Sequence, residues 1–272
     1  MYRTGITAQG FAAATISGNT IQNIEWFVGT SSPALSIGDI SASGTNAVIE
    51  RNSIINKIAS NTGTFGSYGI NIAAGNGAII RNNFVTGVTG DMTGGGAFST
   101  TFGLFGIRIA VGNNHQIYHN TVYMHGVRTG TPTTTLLSAA FGITANTLTG
   151  CNVRNNIFIN LQTGGTTSIA YVSMYLPSGG GTGMNLTLNN NAYYCNSTAG
   201  SAGICQGGTT YTSPVTTAGT GLYTAADFNA CLTTPVTNLR NYTDALNAGS
   251  GKDANSLAFT SAPPVFLLLI YI

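Results

Sequence analysis

The sequence predicts an all-β fold: a right-handed parallel β-helix (solenoid) of about six coils, followed by an irregular, partly helical C-terminal tail. Three observations lead there. A segment carrying asparagine recurs about every thirty-five residues. Apolar residues hold fixed offsets around that asparagine. The composition replaces charge with small polar residues.

Of 272 residues, 43% are hydrophobic, enough to fill a core, and only 6% are charged. Ordinary soluble domains carry about 25% charge. Gly, Thr, Ser and Asn fill the difference, which suits short strands joined by many turns. Disorder requires low hydrophobicity and high net charge, and the net charge here is only +2. The nine Lys and Arg residues are scattered singly, so no nucleic-acid footprint exists. No apolar run reaches the ~18 residues of a membrane-spanning helix, so membrane insertion is not expected.

The repeat is read from six segments: TISGNTIQNI, VIERNSIINKI, AIIRNNFVTGV, QIYHNTVYMHG, NVRNNIFINL and TLNNNAYYCN. The shared asparagines are assigned as Asn19, Asn52, Asn82, Asn120, Asn156 and Asn191. Three residues earlier stand Ile16, Ile49, Ile79, Ile117, Val153 and Leu188. Two residues later stand Ile21, Ile54, Phe84, Val122, Phe158 and Tyr193. A second asparagine follows four residues on in three coils, as Asn23, Asn56 and Asn160. This is strand alternation broken by a polar corner. A further strand precedes several of these segments: GIT from Gly5, GINIAA from Gly69, GIRIAV from Gly106 and GITA from Gly142. Each coil therefore has three short strands.

A single buried asparagine is costly unless its amide is bonded. Stacked copies remove that cost, because each amide donates to the copy in the next coil, about 4.8 Å away. Asparagine also tolerates the left-handed backbone of a sharp corner. These residues form a structural ladder, not a ligand site.

The pattern over residues 1–195 resembles the right-handed parallel β-helix repeat of pectin-lyase-like proteins. Residues 196–272 depart from it and form a second region. There, Thr234 as N-cap, Pro235 at the first turn and Gly249 near the end predict a short helix. Leu239, Tyr242 and Leu246 would make its apolar side. The stretch from YTAADFNACL to DANSLAFTSAPPVF resembles a tail seen after such repeats in large secreted bacterial surface proteins, and is expected to pack on the last coil. The first twenty residues lack the apolar segment of a secretory signal. Both ends read as cut points within a longer protein with other domains.

In the resembled enzymes the substrate groove lies along one sheet and is flanked by long loops. Long loops here begin near Thr89 and Arg128. The outward positions of the Gly-Ile strand, Thr7, Asn71, Arg108 and Thr144, are the expected groove face. The resemblance implies two chemistries. Lyases of this fold hold calcium on clustered acids, while its glycosidases use paired carboxylates. The chain has seven acids: Glu25, Asp39, Glu50, Asp91, Asp227, Asp244 and Asp253. None falls in the groove column. The best catalytic trio that can be assembled is Asp39, Asp91 and Arg108.

Elsewhere, Glu50 and Arg154 flank Tyr118 on one outward column, with Arg51 and Arg81 placed in the adjoining one. This arrangement suits surface ion pairs, or an aromatic-and-arginine patch for carbohydrate. His115, His119 and His125 lie close in sequence, but His119 fills an ordinary corner position, and no metal site is expected. Of the four cysteines, Cys195 and Cys205 enclose a short loop and are the disulfide candidates. Cys231 competes as a partner, and Cys151 is the fourth. The Gly-rich runs lack the Lys-Ser/Thr of a phosphate cradle.

The favoured expectation is a non-catalytic, extracellular or cell-surface bacterial scaffold or adhesin-like segment that contacts polysaccharide or cell-surface glycan and needs no cofactor. The alternative is a fragment of a polysaccharide lyase or glycoside hydrolase, with calcium required only in the lyase case. A tailspike-like receptor-binding role would share the fold and require a trimer.

Overall fold

The computed structural model describes residues 4–27, 31–38, 44–60, 66–91, 103–128, 136–164, 169–177, 184–196, 201–207, 221–225, 255–260 and 262. They form a parallel β-solenoid with three strands per coil. The first sheet stacks Ile6–Ala8, Ser32–Ile37, Ser67–Ile72, Leu104–Ile109, Leu136–Ile143, Ile169–Leu176 and Ser201–Gly207, and ends on the antiparallel strand Gly221–Tyr223. The second stacks Ala14–Ser17, Ala47–Glu50, Ile79–Arg81, Gln116–Tyr118, Asn152–Arg154 and Thr187–Asn189. The third stacks Thr20–Trp26, Ser53–Ala59, Phe84–Gly90, Thr121–Met124, Ile157–Asn160 and Ala192–Cys195, and ends on Leu257–Ala258. Six complete coils result. A two-stranded ribbon of Val127–Arg128 and Thr163–Gly164 branches from them. No helix among the described residues is long and apolar enough to cross a membrane.

The corners explain the sequence pattern. Between the second and third sheets, one residue per coil has a left-handed backbone: Gly18, Arg51, Asn82, His119, Asn155 and Asn190. The next residue is the ladder asparagine. Asn19 Nδ2 donates to Asn52 Oδ1 at 3.0 Å, Asn52 to Asn83 at 3.0 Å, and Asn83 to Asn120 at 2.9 Å. Asn120 then donates to Asn156 at 3.0 Å and Asn156 to Asn191 at 3.1 Å. Each backbone N–H joins the same acceptor. The second amide hydrogen reaches back to a carbonyl of the preceding coil, as from Asn120 to Ile80 O at 2.8 Å.

In the third coil the ladder therefore runs through Asn83, not Asn82. Asn82 is exposed at the corner, with φ 53°. The apolar columns shift with it: Ile80 and Val85 are fully buried, whereas Ile79 and Phe84 are only half-buried. The corrected spacings on either side are 31 and 37 residues.

Two kinks set which side chains enter the core. In the third sheet Asn23, Asn56 and Gly87 have positive φ and reverse the alternation. Lys57, which strict alternation from Ile54 would send to solvent, is consequently 1% exposed and stands between Ile24 and Val88. In the first sheet, adjacent residues such as Ala34 and Leu35, or Ala140 and Phe141, both join the core. Only a small residue fits first in such a pair. A Cβ at Gly69 would lie 2.5 Å from both Gly106 O and Val85 Cγ1. In the later coils the core turns aromatic, with Phe141 stacked on Phe158 at 5.0 Å and Phe158 on Tyr193 at 6.1 Å.

The helix predicted around residues 234–249 lies outside the described residues. Residues 255–260 return to the last coil, where Leu257 N–H donates to Asn191 O at 2.9 Å and Phe259 N–H to Tyr193 O at 3.0 Å.

Candidate functional site

Strand register on the first sheet aligns Thr7, Ser36, Asn71, Arg108, Gly142 and Tyr175 in one outward row. Three of the expected groove residues belong to it. Thr144 does not: it follows the strand end, donating its N–H to Ile109 O at 3.0 Å, and Gly142 stands beside Arg108 instead. The Gly-Ile pair at Gly142 is out of phase by two residues, because Ala140 and Phe141 occupy the equivalent positions in that coil.

The row is not an open groove along its length. Asn71 is 6% exposed and Ser36 5%. The neighbouring outward row buries Tyr68, Phe105, Ala139 and Val172 in a second apolar cluster, separate from the core. Thr7 is exposed, while Arg108 and Thr144 are half-buried.

Hydrogen bonds link the row from coil to coil. Ser36 Oγ donates to Gly38 O at 3.3 Å, Asn71 Nδ2 to Ser36 Oγ at 3.4 Å, and Arg108 Nη1 to Asn71 Oδ1 at 3.0 Å. The Arg108 guanidinium lies over the Tyr68 ring, 4.9 Å from its centroid. Its Nε is buried and has no hydrogen-bond partner. Burial lowers the affinity of Arg108 for its proton, and Tyr68 partly offsets this. Among the described residues no carboxylate pairs with Arg108. Ser36 and Tyr68 escaped the sequence reading. Ser36 follows Ala34-Leu35 rather than Gly-Ile, and its 35-residue spacing to Asn71 was the available signal.

Of the trio Asp39, Asp91 and Arg108, the structure describes Asp91 and Arg108. Asp39 lies outside the described residues. The Asp91 carboxylate favours the cation of Arg128, a buried arginine on the branching ribbon, while Arg108 is held by Asn71 and Tyr68. Arg128 is 2% exposed, and burial is the main influence on its proton affinity, which it lowers.

On the second sheet the outward row is Ser17, Glu50, Arg81, Tyr118, Arg154 and Asn189. Arg81 thus shares the column of Glu50 rather than that of Arg51, another consequence of the one-residue shift in the third coil. Glu50 accepts from Arg81 Nε at 2.7 Å, and its carboxylate oxygens lie 2.7 Å from Arg81 Nη2 and Arg51 Nη2. The Arg81 hydrogen bond, aided by both guanidinium charges, holds the Glu50 carboxyl below its ordinary range. Arg154 is exposed at the far end of this row.

The histidines serve different structural roles. His115 is fully buried: Nδ1 accepts from Ala78 N–H at 3.1 Å and Nε2 lies 3.0 Å from Val111 O, which fixes the neutral ring with its proton on Nε2. His119 is an exposed corner residue with φ 58°. His125 packs against Tyr123, with ring centroids 5.1 Å apart. Among the described residues no group of three or more His, Cys, Asp or Glu is placed to hold a metal ion.

Cys195 Sγ donates to Tyr171 O at 3.1 Å. The side chain of Cys205 and all of Cys231 lie outside the described set, so the proposed pairing does too. Burial pushes the Cys151 thiol up to about 11, which leaves it unreactive. No family model, curated protein or solved structure matches the chain.

Proposed function

We propose that this chain is a non-catalytic, extracellular scaffold or adhesin-like segment whose first-sheet side contacts a glycan. The observation that carries the reading is the hydrogen-bonded row Ser36–Asn71–Arg108, which crosses three consecutive coils and ends in a half-buried guanidinium laid on Tyr68. Ser36 and Asn71 are buried and bonded to each other, so the row acts by fixing the half-buried Arg108 guanidinium where a polymer would meet it, and the rigid sheet beneath limits the ordering cost of binding. The right-handed winding and bacterial surface origin rest on the resemblance to pectin-lyase-like repeats and to the tails that follow them. Stability in such an array is collective between neighbouring coils, which suits an extended spacer. Screening the full chain on a glycan array tests the contact. Binding to a defined set of glycans is the expected result, and background signal throughout removes glycan contact from the reading.

One observation favours a second reading, a fragment of a carbohydrate-active enzyme. Arg108 is a half-buried basic residue held by Asn71 and Tyr68 on the sheet that would carry the groove in the resembled enzymes. Assay against a panel of polysaccharides, with and without calcium, separates the two: product formation that Arg108→Gln abolishes would replace the scaffold reading.

A further inference from the structure

We propose that the open face of the first coil takes up a further coil of the same repeat, supplied by another polypeptide. The segment that docks is extended and carries an asparagine, with an apolar residue three places before it and another two places after. This docking goes beyond the glycan contact and does not depend on it.

The asparagine ladder has a direction. From Asn52 to Asn191, each Oδ1 accepts both the backbone and the side-chain N–H of the asparagine one coil earlier. Asn19 heads the ladder and donates to Asn52 in this way, but among the described residues nothing donates to its own Oδ1. Its amide hydrogens show the same gap. Asn52, Asn83 and Asn120 reach back to Ile16 O, Ile49 O and Ile80 O at 2.9, 2.9 and 2.8 Å. Asn19 Nδ2 instead turns to its own Ser17 O at 3.2 Å.

The strands around Asn19 are open on the same side. Among the described residues, Ile6–Ala8, Ala14–Ser17 and Thr20–Trp26 each stand at the end of their sheet and pair with one neighbour. Such an edge is a template for an added strand. The core columns stop short there too. Ile16 and Ile21 are 8% and 7% exposed, where Ile49, Ile54, Ile80 and Val85 are 0%. Ile6, Ile21, Ile24 and Asn19 line a cavity of about 410 Å³. Its walls are apolar and its amide offers an acceptor, so the fitting occupant brings aliphatic side chains and a pair of N–H donors together.

A second copy of this chain supplies no such segment from either end of its coil stack. Its first coil would set acceptor against acceptor. Its last coil is closed by Leu257–Ala258, by Ser256 beneath Asn191 and by the antiparallel strand Gly221–Tyr223. The chain's own third coil shows the chemistry required. Ile80, Asn83, Val85 and Val88 continue the columns of Ile16, Asn19, Ile21 and Ile24.

The probe is therefore a synthetic peptide with the sequence of residues 77–90, offered to the full chain. Fluorescence anisotropy should show saturable binding. Amide hydrogen exchange should slow in Ala14–Ser17 and Thr20–Trp26. All substitutions are made in the peptide, so the fold of the receptor is untouched. Asn83→Leu keeps the size of the side chain and removes its donor, and should weaken binding by about tenfold or more. Arg81→Lys, on the outward row, should change it by less than about twofold. Equal affinity for the Asn83→Leu peptide overturns the proposal, since apolar adhesion alone would then explain binding. Slowed exchange confined to other strands overturns the site. No saturable binding up to about 1 mM overturns the proposal as a whole. Sedimentation of the free chain checks the choice of partner. A monomer is expected, and a dimer that protects these same two strands makes a second copy the occupant and overturns that choice.

Discussion

The backbone N–H of Asn191 donates to Ser256 Oγ at 2.7 Å, so the asparagine ladder ends on a serine supplied from 65 residues further along the chain. Ser256 is 2% exposed and precedes Leu257 as each ladder asparagine precedes the first residue of its third-sheet strand. The returning strand therefore completes the sheet and satisfies the last donor together. Ser256→Ala should expose or orphan that N–H, costing about 1–3 kcal/mol. Ser256→Asn restores an acceptor and should be tolerated. Amide hydrogen exchange at Asn191 reads the effect locally: it should accelerate in the alanine variant and stay protected in the asparagine variant.

Asn82 and Asn83 are adjacent, identical in type and opposite in role. Asn83 Oδ1 accepts from both the backbone and side chain of Asn52, and Asn83 Nδ2 donates to Ile49 O and Asn120 Oδ1, both at 2.9 Å. Asn83→Ala should cost about 3 kcal/mol or more, because it strands buried partners on two coils. Asn82→Ala should cost only about 1 kcal/mol, the penalty of a left-handed alanine, and Asn82→Gly should be near neutral. Chemical denaturation of the three variants checks the order. Equal losses at Asn82→Ala and Asn83→Ala would contradict the ladder path.

The same doublet shows where the sequence stops being readable. The corner and the ladder both favour asparagine, one for its backbone and the other for its amide. Identity alone cannot separate them, whereas the buried pair Ile80 and Val85 can. Coil count and the three-strand period were legible because apolar columns at fixed offsets leave few alternatives. The phase of Thr144 was not, since Ala140-Phe141 replaces the Gly-Ile pair while another such pair follows two residues on. Burial of Lys57 was hidden by the reversal at Asn56, a backbone event with no local hydrophobic signal. Burial of Asn71 depends on what packs over the outer face of the sheet, which strand alternation does not report.

His115 makes the fold sensitive to acid. Burial, partly offset by the hydrogen bond to Val111 O, lowers its pKa from the ordinary 6.5. The unfolded chain binds its proton near that value and the folded chain only at lower pH. Stability from this group is complete above about 6.5 and is lost as pH falls through the folded-state value. Half-buried His125 is shifted the same way by desolvation. Thermal unfolding between about pH 7.5 and 5 should show a falling midpoint. His115→Ala should be less stable at the upper end by about 1–3 kcal/mol, since Ala78 N–H loses its acceptor, and should show a shallower fall. A wild-type midpoint flat across this range would refute the assignment.

Lys57 works in the opposite sense, as a built-in cost. It sits in an apolar column, and among the described residues its Nζ reaches only the carbonyl of its neighbour Ile58 at 3.3 Å. Burial lowers its pKa from 10.5 to about 8. Between those values the unfolded chain holds the extra proton, so stability rises with pH across the window, and the full cost is present below about 8. The size of the shift corresponds to about 3 kcal/mol. Lys57→Met keeps the length of the side chain and removes the charge. It should stabilise the protein by up to that amount at neutral pH and abolish the rise. Tyr171, pushed up to about 12 by burial, turns the slope downward above about pH 10, so the comparison belongs below that point. Denaturation midpoints of both proteins from about pH 7 to 10 decide it. Parallel curves would mean that Lys57 reaches water and carries no buried cost.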